Sequence, residues 1–187
     1  MGHRLSVIAT RSGDDGTTGL ADGTRRAKHA PRIAALGDVD ELNSALGLLL
    51  AEPLPGPLAA DLLAVQHDLF DLGGELALPG RPLVDARKVR RLDELLARYN
   101  AGLPPLREFV LPGGTRAAAL AHAARAVCRR AERAVVALAV EESVGMPVRQ
   151  YLNRLSDLLF VAARVLNRDA GQPDVLWKNP GPRGARD

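Results

Sequence analysis

Three arginines recur at intervals of four residues in the second half of the sequence. Arg125, Arg129 and Arg133 recur within a segment of helical character, so they form one stripe on a helix, with Arg130 and Glu132 beside them. Like charges at this spacing repel each other. The stripe is either a solvated face balanced by Glu132 or a surface that binds a polyanion, because arginine donates two parallel hydrogen bonds to phosphate.

A glycine-rich loop near the N-terminus could bind an anion. In TRSGDDGTT, residues 10–18, glycines allow backbone N–H groups to turn toward a ligand, hydroxyls add donors, and Lys28 follows ten residues later. The loop lacks the GxxxxGK[ST] order of a P-loop, and no strand precedes it as a dinucleotide-binding fingerprint requires. A plain solvated turn is the alternative interpretation of the same residues.

Two further polar groups on the predicted helices are candidate site residues. Asp40, in GDVDELN, follows Leu36 by four residues, and a partly buried carboxylate there would need a cationic partner, for which an arginine of the stripe is the natural candidate. Asn153, in YLNRLSD, shares a helix face with Ser156 and Asp157 and can both donate and accept hydrogen bonds. Polar surface is the alternative interpretation of Asn153.

The sequence gives no sign of a metal centre or of a protein nucleophile. Neither His67 nor His122 follows a glutamate by three residues, as the di-iron bundles require. The single cysteine, Cys128, excludes a paired-cysteine zinc site and an intrachain disulfide, and it fits a reducing compartment. No Ser-His-Asp order is recognisable.

The elements that must position these groups are predicted to be five helices. Apolar spacing predicts them over residues 31–52, 58–78, 85–100, 115–142 and 147–169. Pro31 begins the first helix, Pro53 and Pro55 stop it, and Asp85 and Thr115 are the expected N-caps of the third and fourth.

The connections complete the predicted architecture. Most of them are short, which favours antiparallel neighbours, and no segment reads as a convincing strand, so the fold class is an all-α five-helix bundle. We predict a single domain over 1–187, with a loop at 1–30, the helical bundle at 31–171 and a tail at 172–187 that is mobile toward its end. Residues 103–114 are predicted to be an ordered connection.

The composition narrows the possible functions. The chain has 187 residues, 47% hydrophobic and only 3% aromatic, which supports a sizeable core and favours helices over sheets. The net charge is a mild +3 and no basic run alternates with aromatic residues, so we expect no nucleic-acid binding. No stretch has the apolar length of a signal peptide or a membrane span, so we expect a cytoplasmic protein without membrane attachment.

In this order, the motifs resemble those of the PduO-type ATP:corrinoid adenosyltransferases. The resemblance spans about residues 10–167 and rests on TRSGDDGTTGL, Lys28, GDVDELNSALG, FVLPGG, RAVCRRAERAV and YLNRLSDLLFVAAR. RRAER and YLNRLSD together are quite specific, whereas the N-terminal loop alone is not. The resemblance implies a homotrimer of five-helix bundles with active sites between subunits. It implies transfer of the 5′-deoxyadenosyl group of ATP to the cobalt of cob(I)alamin, giving adenosylcobalamin and triphosphate.

The resemblance also implies roles for individual residues. Asp40 would pair with Arg125 across the subunit boundary and Phe109 would face the corrin. These three residues would bind cobalamin and, with Arg129, would form the catalytic set. The expected ATP-binding residues are Thr10, Arg11, Ser12, Gly13, Thr17, Thr18, Lys28, Arg129, Arg130, Glu132, Arg133 and Asn153. Mg²⁺ would bind through the ATP phosphates, with K⁺ as a further candidate ion. A cobalamin reductase or an adenosylcobalamin-dependent enzyme would be the protein partner.

Two other functions fit the helical pattern. One is an ATP-binding helical protein with phosphoryl-transfer chemistry, which would yield ADP. The other is a non-catalytic helical adaptor, which would not bind ATP.

Overall fold

Five helices dominate the computed structural model, which describes residue 9 and residues 11–178. The helices are α1 (Pro31–Leu50), α2 (Gly56–Ala77), α3 (Ala86–Asn100), α4 (Arg116–Glu141) and α5 (Met146–Asp169). The predicted five-helix bundle is therefore confirmed, with ends that differ from the prediction by two residues or fewer. Thr10 and the predicted mobile end of the tail, residues 179–187, lie outside the described residues. None of the described helices is both long and apolar enough to cross a membrane.

The sequence signals at the helix ends act as expected. α1, α2 and α5 carry a proline in the first turn, where its missing N–H removes no intrahelical hydrogen bond. The Asp85 side chain accepts hydrogen bonds from the backbone N–H groups of Arg87 (2.9 Å) and Lys88 (3.1 Å). The Thr115 hydroxyl accepts one from the Ala118 N–H (3.1 Å). Both predicted N-caps are confirmed.

Helices α4 and α5 form the centre of the bundle. α4 packs along both α5 and α1, α1 packs along α2, and α3 packs along α5. α5 is buried almost continuously from Leu158 to Asn167. Small residues let α4 approach its neighbours closely, since its fully buried positions include Ala118, Ala121, Ala124 and Ala131. α4 can therefore present side chains toward two neighbouring helices.

The expectation that the chain forms no strand is wrong for the N-terminal loop. Thr17–Gly19 (β1) and Arg25–Ala27 (β2) pair as an antiparallel hairpin. Asp22 fixes its turn by accepting hydrogen bonds from the Thr24 N–H (2.8 Å) and hydroxyl (2.7 Å), with Gly23 at φ +86°. The strands are three residues long and polar, so they carry no hydrophobic alternation from which the sequence could predict them.

Residues 103–114, which we call the Phe109 loop, are an ordered connection, as predicted. Residues 172–178, which we call the C-terminal strap, run beside this loop. The two segments form two backbone hydrogen bonds: Leu111 N–H to the Val175 carbonyl (2.7 Å) and Trp177 N–H to the Phe109 carbonyl (2.8 Å). The described part of the tail is therefore bound to the bundle.

Candidate active site

The predicted site residues divide between two open cavities. The hairpin cavity, of about 520 Å³, lies between the β-hairpin, α1 and α2, and Thr18 and Asp40 line it. The loop cavity, of about 560 Å³, lies between the Phe109 loop, α4 and α5, and Phe109 and Arg125 line it. The remaining predicted residues are on the N-terminal loop, at Lys28 just after β2, and on α4 and α5, where the arginines are exposed and Glu132 and Asn153 are half-buried.

Asp40 is exposed at the hairpin cavity and has no hydrogen-bond or ion-pair partner among the described residues. The expectation of a partly buried Asp40 beside an α4 arginine is therefore wrong within one chain. The α4 arginine that reaches α1 is Arg130, which pairs with Asp38 (3.1 Å) and with Glu41. Asp40 is turned away from this contact because consecutive helical residues are rotated by about 100°.

The N-terminal loop is ordered by hydrogen bonds within the loop and to β2. Asp15 accepts from the Thr17 N–H (2.9 Å) and hydroxyl (2.8 Å). The hydrogen bond from the Thr17 N–H is the main reason that the pKa of Asp15 lies below its ordinary value. Arg25 donates to the Thr17 hydroxyl (2.9 Å) and to the Ser12 carbonyl (2.6 Å). Arg25 was missed by the sequence interpretation, because only the hairpin brings it to the loop.

Lys28 lies directly against the glycine-rich loop. Its backbone N–H donates to the Gly16 carbonyl (2.9 Å). A Cβ atom on Gly13 would lie only 3.1 Å from the Lys28 Nζ and 3.0 Å from the Thr17 carbonyl oxygen, so glycine makes this approach possible. Arg11, at the start of the loop, has a left-handed φ of 55°. The structure thus brings together the Lys28 ammonium, the loop backbone and two predicted ligands, Gly13 and Thr17.

The arginine stripe remains largely unpaired. Arg129 and Arg133 are exposed on α4 and have no hydrogen-bond or ion-pair partner in the described part of the chain. Glu132 forms no ion pair with them; instead it accepts a hydrogen bond from the Asn153 Nδ2 (3.1 Å). Asn153 also accepts from Arg154 (2.6 Å) through its Oδ1. Glu132 therefore does not neutralise the exposed charges of Arg129 and Arg133.

Arg125, the first arginine of the stripe, faces the loop cavity. Its Nε is buried without a hydrogen-bond partner among the described residues, and its guanidinium lies 5.5 Å from the ring centre of Phe160. His122 packs against the same ring with its centroid 6.0 Å away. Burial, followed by the charge of Arg125, lowers the pKa of His122 below its ordinary value. His122 and Phe160 were not predicted as site residues, because their cavity depends on how the Phe109 loop folds back.

Phe109 projects from its loop beside the loop cavity. Its side chain is 76% exposed, and its aromatic neighbour is Trp177 of the C-terminal strap, at 6.2 Å between ring centroids in an edge-on arrangement. The Phe109 ring is therefore available to contact a molecule that enters the loop cavity.

The described residues offer no clustered metal ligands and no reactive thiol. They contain no group of three or more His, Cys, Asp or Glu side chains close enough to hold an ion. Cys128 is buried, its thiol donates to the Leu152 carbonyl (3.3 Å), and burial raises its pKa far above the ordinary value. Cys128 is thus a neutral core residue and not a nucleophile.

Comparison with known proteins identifies the family. A sequence profile described as cobalamin adenosyltransferase matches residues 8–166 of the chain. The chain belongs to the cobalamin adenosyltransferase family. A cobalamin adenosyltransferase from Cupriavidus metallidurans is similar to this family member, with 64% identity over 95% of this chain and 97% of the relative. A corrinoid adenosyltransferase from Mycobacterium tuberculosis shares 47% identity over 99% of this chain and 100% of its own length.

Solved structures of the same family share the fold. One is a variant of a PduO-type ATP:corrinoid adenosyltransferase from Lactobacillus reuteri complexed with cobalamin and ATP. It matches this adenosyltransferase family member with a TM-score of 0.88 at 37% identity, over 92% of this chain and 97% of the other. The resemblance found in the sequence is thereby confirmed, as is the fold class.

Proposed function

We propose that this chain transfers the 5′-deoxyadenosyl group of ATP to the cobalt of cob(I)alamin, giving adenosylcobalamin and triphosphate. The family match over residues 8–166 carries this proposal. The relatives are named cobalamin and corrinoid adenosyltransferases, and the similar solved structure holds both cobalamin and ATP. The exposed, unpaired arginines of α4 supply what such a reaction needs, which is a cationic surface for a departing polyphosphate.

The triphosphate would bind to the arginine stripe. Arg129 and Arg133 engage no other described residue, so all their donors can face phosphate oxygens. Arg130 could contact phosphate only by leaving Asp38 and Glu41, so we expect it to contribute less than Arg129. The Glu132–Asn153 pair beside the stripe would contact the ribose end.

The N-terminal loop would bind the nucleotide from the other side. Lys28 places an ammonium against the loop, and the hydrogen bonds around Asp15 and Arg25 keep the loop ordered before the nucleotide arrives. Preorganised donors stabilise developing charge more effectively than donors that must first be ordered. The loop residues proposed to bind ATP are Thr10, Arg11, Ser12, Gly13, Thr17 and Thr18.

The bond-making step needs no protein nucleophile. Cobalt in the Co(I) state donates an electron pair to C5′ of ATP, a cobalt–carbon bond forms, and the C5′–O bond breaks. The electron pair of that bond leaves with the triphosphate, whose growing negative charge the α4 arginines stabilise. No proton has to be removed, so no general base is required. This chemistry agrees with Cys128 being a buried, protonated thiol.

The corrin would bind at the loop cavity, with Phe109 against its lower face. An apolar ring at this position excludes water and the lower ligand from the cobalt, which favours a four-coordinate Co(II) centre and eases its reduction to Co(I). Arg125 lines the same cavity. Phe109 therefore acts on the reduction that precedes alkylation, whereas Arg129 acts on alkylation itself.

We propose a homotrimer in which Asp40 pairs with Arg125 of a neighbouring copy. Asp40 lies at the hairpin cavity and Arg125 at the loop cavity, and neither forms an ion pair within the described chain. Joining one cavity of each type across a boundary would place the N-terminal loop opposite the arginine stripe. Each complete site would then need two copies of the chain.

The remaining participants follow from the chemistry. Mg²⁺ would enter with the ATP phosphates, and no described residue is assigned as its ligand; K⁺ is a further ion to test. A reductase that supplies an electron to Co(II), or an enzyme that uses adenosylcobalamin, would be the protein partner, and we place the reaction in the cytoplasm.

An anaerobic assay tests the function directly. The protein is mixed with MgATP and chemically reduced cob(I)alamin, and the absorbance change of cobalt–carbon bond formation is followed. We expect adenosylcobalamin and triphosphate in equal amounts. ADP as the product would indicate phosphoryl transfer, and a lack of ATP binding would indicate a non-catalytic adaptor.

A further inference from the structure

Two polar side chains of α5 are almost completely buried although the proposed reaction uses neither. Arg164 is 4% exposed and Asn167 is 1% exposed. A buried polar group destabilises the folded state unless its hydrogen bonds are satisfied, so the partners of such a group indicate its role.

Both side chains bind the Phe109 loop. The Asn167 Oδ1 accepts a hydrogen bond from the Thr115 N–H (2.9 Å), and its Nδ2 donates to the Gly113 carbonyl (3.3 Å). Arg164 donates to the Pro104 carbonyl (2.7 Å). α5 therefore fixes this loop near its beginning and at its end.

The same two side chains bind the C-terminal strap through one carboxylate. Arg164 pairs with Asp174 (2.8 Å), and the Asn167 Nδ2 also lies within hydrogen-bond distance of it (3.3 Å). The strap in turn pairs through its backbone with the loop on both sides of Val110. The loop, the strap and α5 thus form a closed set of hydrogen bonds around Phe109.

The contact between Asn167 and the end of the loop is unusually close. Gly114 has a φ of +98°, and a Cβ atom there would lie 2.1 Å from the Asn167 Oδ1. Only glycine allows both the backbone conformation and the approach of the carboxamide. Position 114 is therefore a glycine where the Asn167 carboxamide contacts the loop.

We propose that Asn167 is the positioning residue for Phe109, and that Arg164 and Asp174 complete its anchor. The proposal rests on the proposed function, in which Phe109 excludes ligands from cobalt. Because Phe109 is itself exposed, packing in the core does not fix its ring. The geometry of its loop and the edge-on contact with Trp177 of the strap fix the ring, and the anchor holds both segments.

The experiment compares two starting states of cobalt. Phe109 matters for removing axial ligands from Co(II), whereas Co(I) supplied by a chemical reductant has already passed that stage. Asn167→Ala and the milder Asp174→Asn are each assayed from cob(II)alamin with a reductant and from pre-reduced cob(I)alamin. Electron paramagnetic resonance of the ATP-bound enzyme measures the four-coordinate fraction of Co(II), and calorimetry measures ATP affinity.

Gln66→Ala is the matched control, because it removes a side-chain carboxamide bonded to a backbone carbonyl between α1 and α2.

We expect Asn167→Ala to lower the rate of adenosylcobalamin formation from cob(II)alamin about tenfold, and to lower the four-coordinate fraction of Co(II) by the same factor. A factor of this size corresponds to the loss of one buried hydrogen-bond partner. ATP affinity and the rate from cob(I)alamin should stay unchanged. Asp174→Asn should also lower the rate from cob(II)alamin and the four-coordinate fraction. Because it keeps the contacts between α5 and the Phe109 loop, it still tests the proposal if Asn167→Ala does not fold. Gln66→Ala should behave as wild type.

Equal losses from both cobalt states, or a four-coordinate signal that is unchanged in folded variants, would overturn the positioning role. A wild-type enzyme that forms no cobalt–carbon bond even from cob(I)alamin would instead refute the proposed function. The two failures are distinguished by the wild-type reaction alone.

Discussion

Replacing Arg129 by alanine should separate stability from catalysis. Arg129 is exposed and contacts no described partner, so its removal deletes no intrachain hydrogen bond. The substitution also removes the repulsion between Arg129 and the like charges of Arg125 and Arg133, four residues away on either side. Each of these two repulsive contacts destabilises the helix by about 0.2–0.5 kcal/mol. We therefore expect the nucleotide-free protein to become more stable by about 0.4–1 kcal/mol, a rise in Tm of about 1–4 °C.

The same substitution should strongly impair turnover. Losing one fixed donor to developing negative charge raises the barrier by about 2–4 kcal/mol, or about 30- to 1000-fold in rate. The assay is adenosylcobalamin formation from cob(I)alamin and MgATP without oxygen, with calorimetry for Tm on the same preparations. Arg129→Lys keeps the charge without the planar fork and should fall between wild type and alanine.

Arg98→Ala is the control for loss of charge alone. Arg98 is on α3 and pairs with Asp61, so its removal changes the net charge equally without touching the proposed site. Its turnover should match wild type. If Arg129→Ala turned over at a near-normal rate, or lost stability instead of gaining it, the argument that the stripe is kept for a polyphosphate would be refuted.

Three further outcomes are expected. Phe109→Ala should leave ATP affinity unchanged in calorimetry but slow cobalt alkylation from cob(II)alamin; an equal loss of ATP affinity would contradict its placement at the corrin. Asp40→Asn should leave each chain folded but weaken the assembly or corrinoid binding, as measured by analytical ultracentrifugation and cobalamin titration; a fully active trimer would remove Asp40 from the site. Because burial and Arg125 lower the pKa of His122 in the folded state, the unfolded state binds more protons below about pH 6.5, and stability falls as the pH decreases. His122→Phe should reduce that loss in denaturant titrations between about pH 7.5 and pH 5.5; an unchanged slope would show that other groups cause it.

The helices could be predicted because their signals are local. A proline in the first turn, a capping Asp85 or Thr115 and an apolar repeat each act within a few residues, and the structure has each helix where these signals place it. The hairpin could not be predicted, because its strands are short and polar. Its shape depends on hydrogen bonds from Thr17 and Thr24 to aspartates two residues earlier, a turn signal that is visible only as Asp-Gly-Thr.

The site could be predicted less completely, because it depends on the direction in which each side chain points. Spacing placed Arg125, Arg129 and Arg133 on one stripe, but it could not show that Arg130 turns to Asp38 and Glu41. It also could not show that Asp40 faces a different cavity from Arg125. Contacts between segments distant in sequence, such as Arg164 with the Pro104 carbonyl, follow from the path of the chain, which periodicity does not describe.

The distribution of partners on α4 connects the fold to the function. Toward α1, Arg130 is neutralised by acids, and toward α5, Glu132 is bonded to Asn153. A helix arranged for stability alone would place an acid four residues from Arg129, where an ion pair would replace the repulsion. The chain instead keeps Arg129 and Arg133 unpaired within its described residues, on the same helix as Arg125, which lines the loop cavity with the exposed Phe109. In the proposed function, a bound polyanion would relieve this repulsion, so the unpaired stripe would favour the nucleotide-bound state and, most strongly, the state in which triphosphate is leaving.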